Sequence, residues 1–288
     1  MIKFIVNEHS GNGKGKKAMK KISNYCSANN IAYSVSITKA QGHATALTKE
    51  LTSNLDENIT LVAVGGDGTF SEVLNGIANF EKAALGFIPT GRGNDYARAA
   101  NLKLKPLNAL KDILNGTIVT SDYFMVGNKR CLNVAGSGLD VAVLERVGTK
   151  RGKLSYLKSL IYCLRRLKPY SFEIEVNGEI IQEKCVMIGV CNGVAIGGGI
   201  KLSPLSKLND GKLNLMIMLP PKNLLSALLK FKKGKHMNEY YTTHIVCDSV
   251  RITCPDVVYP IQIDGEIYKN TMLDCSIVAG GLRTFKVI

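Results

Sequence analysis

Residues 61–72, Leu-Val-Ala-Val-Gly-Gly-Asp-Gly-Thr-Phe-Ser-Glu, constrain the fold more than any other stretch of the chain. An apolar run stops at Gly65-Gly66-Asp67-Gly68-Thr69, and a helical pattern starts directly after it. That order reads as a buried strand, a tight turn and a helix start. Glycines let a backbone come close to a ligand, and a helix N-terminus adds partial positive charge at the same place. The combination suits phosphate. Asp67 puts a carboxylate beside it, which calls for a cation or a proton in between. The turn therefore predicts a nucleotide whose phosphates are held with a metal, by a loop that is not a Walker P-loop.

The same alternation runs through residues 1–120. Strands are expected at 3–6, 31–37, 59–64 and 83–88, and helices at 16–28, 42–51, 69–79 and from about 95. Repeated βαβ units predict a doubly wound, Rossmann-like parallel sheet. Three glycine-rich loops, at 11–15, 65–69 and 89–94, fall at the carboxyl ends of its strands, where ligands of such sheets sit. After about residue 120 the pattern changes to short strands at 122–126, 130–135, 171–176, 179–191, 212–219, 245–253, 257–263 and 272–279. Asn177-Gly178 and Asp210-Gly211 read as hairpin turns. This half predicts an antiparallel β-sandwich, so the fold class is α/β followed by all-β. Two apolar stretches ending in cations, 154–167 and 224–231, read as amphipathic helices covering the sheet, with contact to an anionic bilayer as the alternative.

Composition narrows the partners. The formal net charge of +14 favours an anionic partner: nucleic acid, an acidic membrane surface or phosphorylated small molecules. There is no tryptophan, no basic stretch interleaved with aromatics and no zinc-finger spacing, so nucleic acid is not expected. No apolar run approaches the roughly 18–20 residues that span a bilayer, and Met1–Asn7 reads as a first strand, not a signal peptide. The eight cysteines include no Cys-x-x-Cys pair and read as reduced core residues of a cytosolic protein. His9, His43, His236 and His244 lack metal-ligand spacing and read as surface or capping residues.

The first loop, Asn7-Glu8-His9-Ser10-Gly11-Asn12-Gly13-Lys14-Gly15, fits neither the Rossmann fingerprint nor the Walker pattern. The third, Pro89-Thr90-Gly91-Arg92-Gly93-Asn94-Asp95, offers N–H groups, a hydroxyl and a guanidinium suited to phosphate, while Asn94 or Asp95 alone reads as a helix cap. Together with Gly65–Thr69, the segment Gly86 to Arg98 resembles the diacylglycerol kinase catalytic-domain family, which includes bacterial lipid kinases and sphingosine and ceramide kinases. Four further segments extend the resemblance over nearly the whole chain: Asn7 to Gly11, Cys131 to Asp140, Leu208 to Leu213, and Ile263-Asp264-Gly265-Glu266.

The resemblance implies an ATP-dependent lipid kinase acting on a lipid hydroxyl, with diacylglycerol the leading acceptor. It implies an ATP-binding domain at 1–120 plus 282–288, and a second domain at 121–281 that helps close the cleft. ATP would be held by Asn7, Glu8, His9, Ser10, Gly11, Thr38, Gly66, Asp67, Gly68, Thr69, Phe70, Ser71, Glu72, Thr90, Arg92 and Asn94. Relatives often have Gly-Thr where this chain has Gly91-Arg92, which opens direct phosphate contact to Arg92. Asp264 and Glu266 would be the catalytic pair, with Asp67 ordering Mg²⁺ or its waters. On an extended strand the pair would face one side, and close carboxylates would raise one another's pKa to give a base. Asp210, with backbone carbonyls at Lys207 and Lys212, would hold a second, structural Mg²⁺, or the segment is an ordinary hairpin turn. Relatives often have Asp-Asp-Gly where this chain has Asn209-Asp210-Gly211. The expected setting is cytoplasmic, peripheral on the inner face of an anionic membrane, as a monomer or homodimer. The nearest alternative is NAD kinase, which shares Gly-Gly-Asp-Gly-Thr. Another is a non-catalytic nucleotide-binding protein.

Overall fold

A computed structural model describes residues 1–148, 153–166, 168–255, 259–269 and 272–286. Residue 167 of the expected 154–167 helix, residues 257 and 258 of the expected 257–263 strand and residues 287 and 288 of the expected C-terminal return lie outside the described residues. The chain divides into two compact units, Met1–Ser121 with Gly280–Ile288, and Asp122–Ala279.

Unit 1 runs β1 (Ile2–Val6), α1 (Ser10–Ala28), β2 (Tyr33–Ile37), α2 (His43–Thr52), β3 (Ile59–Gly65), α3 (Asp67–Gly76), β4 (Ala83–Pro89), α4 (Asp95–Ala99) and α5 (Pro106–Asn115). Its strands form a four-stranded parallel sheet in the order β2-β1-β3-β4. Phe4, Val6, Val62, Val64 and Ile88 pack beneath Met19 and Ile22 of α1 and Leu110 and Ile113 of α5. Each such side chain, fully buried, contributes about 1.5–3 kcal/mol. Phe87 of β4 stacks on Phe70 of α3, ring centroids 4.4 Å apart, and Phe70 lies 4.7 Å from Tyr96. The last residues belong here too: the Thr284 hydroxyl donates to Leu85 O at 2.9 Å.

The glycine loop ahead of the first helix is present as expected: Gly11, Asn12 and Gly13 have non-helical backbone angles at positive φ and interrupt α1 just after its first residue. One helix differs from the expectation. The helix expected from 95 ends after Ala99, and a second begins at Pro106, where a missing N–H costs nothing.

Unit 2 continues from β5 (Ile118–Val126) through β6 (Lys129–Cys131), β7 (Val134–Gly138), α6 (Leu139–Val147), α7 (Lys153–Leu164), β8 (Tyr170–Val176), β9 (Glu179–Cys185) and β10 (Met187–Cys191). Then come β11 (Ala195–Ile196), β12 (Ile200–Lys201), β13 (Leu213–Met218), α8 (Leu224–Lys233), β14 (Thr242–Cys247), β15 (Ser249–Thr253), β16 (Ile261–Ile263), β17 (Glu266–Tyr268) and β18 (Leu273–Phe285). Two six-stranded sheets result, ordered β14-β13-β10-β7-β16-β17 and β6-β5-β18-β15-β8-β9. Phe124, Ile174, Ile188, Leu215, Ile252 and Ile263 fill the space between them. Val143 of α6, Cys163 of α7 and Ala227 of α8 cover the outer face of the first sheet, over Met187 and Met216. β7, β10 and β13 are buried on both faces, and β10, Met-Ile-Gly-Val-Cys, accordingly shows no alternation of polar and apolar residues.

Single strands expected at 179–191 and 245–253 are each two strands. The chain steps from one sheet to the other at Val186 and again at Asp248. Such corners are where sandwich strands change layer. Asn177-Gly178 forms the expected hairpin, at φ 52 and 81. Asp210-Gly211 does not, because β13 pairs with β10 and β14 and not with the strand before it. The Gly211 N–H instead donates to Asp122 Oδ2 at 2.7 Å. All eight cysteines are free, and seven are buried. His236 corrects the reading of the histidines: it is fully buried, stacks on Phe231 at 3.9 Å, and places Nε2 2.9 Å from Leu202 O. Burial lowers its pKa.

Candidate active site

In unit 1 the ends of β1, β3 and β4 converge. The Thr90 and Gly91 N–H groups both donate to Gly65 O, at 2.7 and 3.2 Å. Asn7 N–H donates to Val64 O at 2.9 Å, and Thr38 N–H to Val6 O at 2.9 Å. Side chains then cross-link the loops. Asn7 Nδ2 donates to Thr69 Oγ1 at 3.2 Å, and the Ser10 and Thr90 hydroxyls are 2.5 Å apart. These strand ends lie backbone against backbone. A Cβ on Gly11, which sits at φ +58, would be 2.0 Å from Thr90 O, and one on Gly91 would be 2.6 Å from Gly66 Cα. Glycine is required at both.

Gly68 differs. A Cβ there would meet nothing within 4 Å, so no protein contact demands glycine. It lies in the first turn of α3, ahead of the first intrahelical bond, Phe70 N–H to Gly66 O at 3.1 Å. Its N–H and that of Thr69 precede this bond and make a ready anion site. The strand ends therefore form a cradle with space above a helix start, which fits a chain of phosphates. Asp67 opens that helix, and its Oδ1 accepts from Tyr96 N–H at 3.3 Å. One carboxylate beside phosphates suits Mg²⁺, which takes few protein ligands and shares the phosphate oxygens.

The residues expected to hold ATP divide on their positions. Asn7, Thr38, Gly66 and Thr90 lie just past strand ends, Asp67, Gly68 and Thr69 in the first turn of α3, Ser10 and Gly11 at the start of α1, and Asn94 at the N-cap of α4. Glu8 and His9 bridge β1 to α1, with His9 exposed and its N–H donating to Asn7 Oδ1 at 3.1 Å. Arg92 is exposed and donates to Asn12 Oδ1 at 2.6 Å, tying the first loop to the third. Ser71 is half-buried on α3, and its carbonyl accepts from Asn75 Nδ2. Phe70 is a core residue, and Glu72 points its carboxylate at the Ala44 N–H of α2, 3.1 Å away. Asn94 makes no side-chain cap for α4; it sits at φ 53 and donates from Nδ2 to Gly91 O at 3.2 Å.

In unit 2, Asp264 and Gly265 are the hairpin turn between β16 and β17, at φ +48 and +87. This corrects the expectation that Asp264 and Glu266 share one face of an extended strand. Both positive-φ positions are what a two-residue turn demands. The turn aims Asp264 back at the segment 131–134. Oδ2 accepts from Leu132 N–H at 2.8 Å, while Oδ1 accepts from Asn133 N–H at 2.9 Å, Val134 N–H at 3.3 Å and the Cys131 thiol at 3.3 Å. Burial raises the Asp264 pKa, and the hydrogen bonds from Leu132, Asn133 and Cys131 oppose that rise. Desolvation, not Glu266, is thus the cause. Glu266 is half-buried and accepts from the Tyr268 hydroxyl at 3.0 Å. The 131–134 nest escaped the sequence reading because its donors are backbone groups, which carry no residue signature.

Asp140, at the start of α6, is the other buried acid of this segment. Burial pushes its pKa up to about 6, against the Val141 N–H and Gln262 contacts that lower it. The native state therefore keeps this proton up to about pH 6, while the unfolded chain keeps it only to about 3.8. The stabilisation is full below the lower value and is lost as pH rises through the higher one. Asp140→Asn is expected to raise unfolding stability at pH 7 by about 1–3 kcal/mol and to flatten its pH dependence between 4 and 6. Urea denaturation across that range checks both. A loss of stability at pH 7 would mean that the carboxylate has a partner needing its charge.

At the expected structural metal site, Asp210 is exposed and its Oδ1 accepts from Lys212 N–H at 3.1 Å. Lys212 Nζ pairs with Asp248 at 2.6 Å, and Lys207 is exposed. Among the described residues no group of three or more His, Cys, Asp or Glu could hold a metal ion. Asp210 supplies one carboxylate, and protein hydrogen bonds already order its loop. This donor set does not by itself make a cation cage.

Comparison with known proteins agrees with the two-unit architecture. The diacylglycerol kinase catalytic domain family matches residues 1–126, and the YegS C-terminal NAD kinase beta sandwich-like domain matches residues 133–286. The chain is 30% identical over 274 residues to a diacylglycerol kinase of Bacillus subtilis, covering 92% of this chain and 89% of that one. Its fold is like that in a crystal structure of a diacylglycerol kinase from Bacillus anthracis, with a TM-score of 0.76 at 23% identity, over 99% of this chain and 96% of the other. With the parallel-sheet unit matched by one profile, the sandwich by the other and the whole length by a curated relative, the chain belongs to the diacylglycerol kinase catalytic-domain family.

Proposed function

We propose that this protein transfers the γ-phosphoryl group of ATP to the hydroxyl of a membrane lipid, with diacylglycerol as the acceptor and phosphatidic acid as the product. The observation that carries the reading is the cradle of strand ends around Gly11, Gly66 and Gly91, with the first turn of α3 open above Gly68. Bound magnesium nucleotide would supply the phosphoryl group and the cation that neutralises its charge. Unit 1 would contribute phosphate donors from the Gly68 and Thr69 N–H groups and the Thr90 loop, with Asp67 beside the cation. Unit 2 would contribute the base. Asp264 already accepts several N–H bonds and holds the β16–β17 turn against 131–134, so we assign it to positioning. Glu266, two residues on, is the group assigned to take the proton from the lipid hydroxyl, which is a weak nucleophile without such help.

The test is incubation with radiolabelled ATP and either a short-chain diacylglycerol, phosphatidylglycerol or NAD. Labelled phosphatidic acid is expected. Labelled NADP would make the chain an NAD kinase, and nucleotide binding without transfer to any acceptor would make it a non-catalytic nucleotide protein.

Gly68→Ala separates folding from nucleotide binding. Alanine in this half-buried helix turn, where a Cβ meets nothing within 4 Å, is expected to add about 0.5–1 kcal/mol of stability. The same methyl would stand where phosphate approaches, so nucleotide affinity should fall by at least about tenfold. Thermal melting and nucleotide titration are read on one sample. Unchanged affinity would remove α3 from the phosphate site.

A further inference from the structure

We infer that α8 and the segment packed on its C-terminal end form the face by which unit 2 docks on an anionic lipid surface. The inference extends the lipid-kinase reading by assigning the surface that meets the membrane. It starts from a helix that is apolar on two sides. Inward, Ala227 is buried, and Phe231, one turn on, stacks on His236. Outward, Leu225 is 70% exposed and Leu229 53% exposed, again one turn apart. A helix that only covers a sheet carries polar residues on that side.

Neighbouring segments enlarge this outward face. A Cβ on Gly234 would lie 3.1 Å from Pro204, which places the exposed Leu205 beside the end of α8. At the other end, the Tyr240 hydroxyl accepts from Lys222 N–H at 2.5 Å, and the Tyr240 ring is exposed.

Charge selects the occupant. Lys222, Lys232, Lys233 and Lys235 are all exposed, and residues 211–238 contain no aspartate or glutamate. Lys230 is the exception in this run, paired with Glu239 at 2.6 Å. Leucines flanked by exposed lysines, with the adjacent acid Glu239 already paired to Lys230, suit the boundary of acyl chains and anionic headgroups. A second copy would bring the same lysines against themselves, which like-charge repulsion opposes. Nucleic acid would meet the lysines but leave the leucines in water.

The experiment is sedimentation of the full chain with phosphatidylglycerol/phosphatidylcholine vesicles and with phosphatidylcholine vesicles alone, in the absence of nucleotide. Binding is expected to the anionic vesicles only and to weaken with salt. Leu225→Ser with Leu229→Ser should lower the partition coefficient by roughly tenfold or more. Lys232→Gln with Lys233→Gln should weaken binding at low salt and reduce its salt dependence. Circular dichroism and thermal melting check that both variants fold, as surface substitutions should. Wild-type binding that neither variant alters, or no binding to anionic vesicles, overturns the inference. So does a wild-type dimer that the leucine substitutions dissociate while vesicle binding persists. Because the assay contains no nucleotide, its failure is distinct from a failure of phosphoryl transfer, which is read separately on a short-chain diacylglycerol.

Discussion

Glu266→Gln is expected to lower lipid phosphorylation by about 10²–10⁴-fold, the usual contribution of a general base, with the melting temperature unchanged. Glu266 is half-buried and its carboxylate meets the Tyr268 hydroxyl, which an amide oxygen can also accept. The fold should not register the change. Asp264→Asn should behave differently. Its carboxylate accepts from Leu132, Asn133 and Val134 N–H groups on its two oxygens. An amide has one oxygen and turns N–H against at least one of these donors. The loss of charge-assisted hydrogen bonds should cost about 1.5–3 kcal/mol of stability as well as activity. Kinetics and melting on the two variants separate proton transfer from positioning. Full activity in Glu266→Gln would return the base to Asp264. Equal destabilisation of both would deny either a distinct role.

The second large effect is expected from Gly11→Ala. The added methyl would stand 2.0 Å from Thr90 O, a backbone atom that cannot swing aside, at a φ of +58 that alanine adopts only with strain. The first and third loops would have to part by more than an ångström. Misplacing phosphate donors by that much costs about 10²-fold in kcat/KM, on top of about 1–3 kcal/mol of backbone strain. Gly13→Ala is the control. It sits at φ +82, so it carries strain of the same kind, yet a Cβ there meets nothing within 4 Å. Thermal melting should show both variants destabilised, while only Gly11→Ala loses turnover. Retained turnover in Gly11→Ala would mean that the Ser10–Thr90 contact does not set the geometry of the site.

Unit 1 was legible because its information is local. An apolar run followed by Gly-Gly-Asp-Gly-Thr names a strand, a turn and a helix within a dozen residues, and the structure places them there. The sandwich was legible as a class but not in its details, since strand exchange at Val186 and Asp248 depends on which layer a residue enters, and neither step carries a glycine or proline to mark it. Asp264-Gly265 and Asp210-Gly211 show the same limit from opposite sides. Both carry a turn dipeptide. Only the first closes a hairpin, because only there are the flanking strands neighbours in a sheet. In the candidate site, side chains such as Asn7 and Thr90 could be named from their loops. The Leu132–Val134 N–H groups that hold Asp264 could not.

The steps at Val186 and Asp248 have a consequence for how unit 2 comes apart. Cys185 lies in the core between the sheets and Val186 in the layer beneath the helices, so one peptide bond joins two packing environments. The chain passes between layers in the same way between Cys247 and Ser249. Neither sheet can then fray as a separate module, because lifting an interior strand of one pulls directly on a strand of the other. The sandwich should open as one cooperative block, and the Asp264 turn within it stays as rigid as the whole.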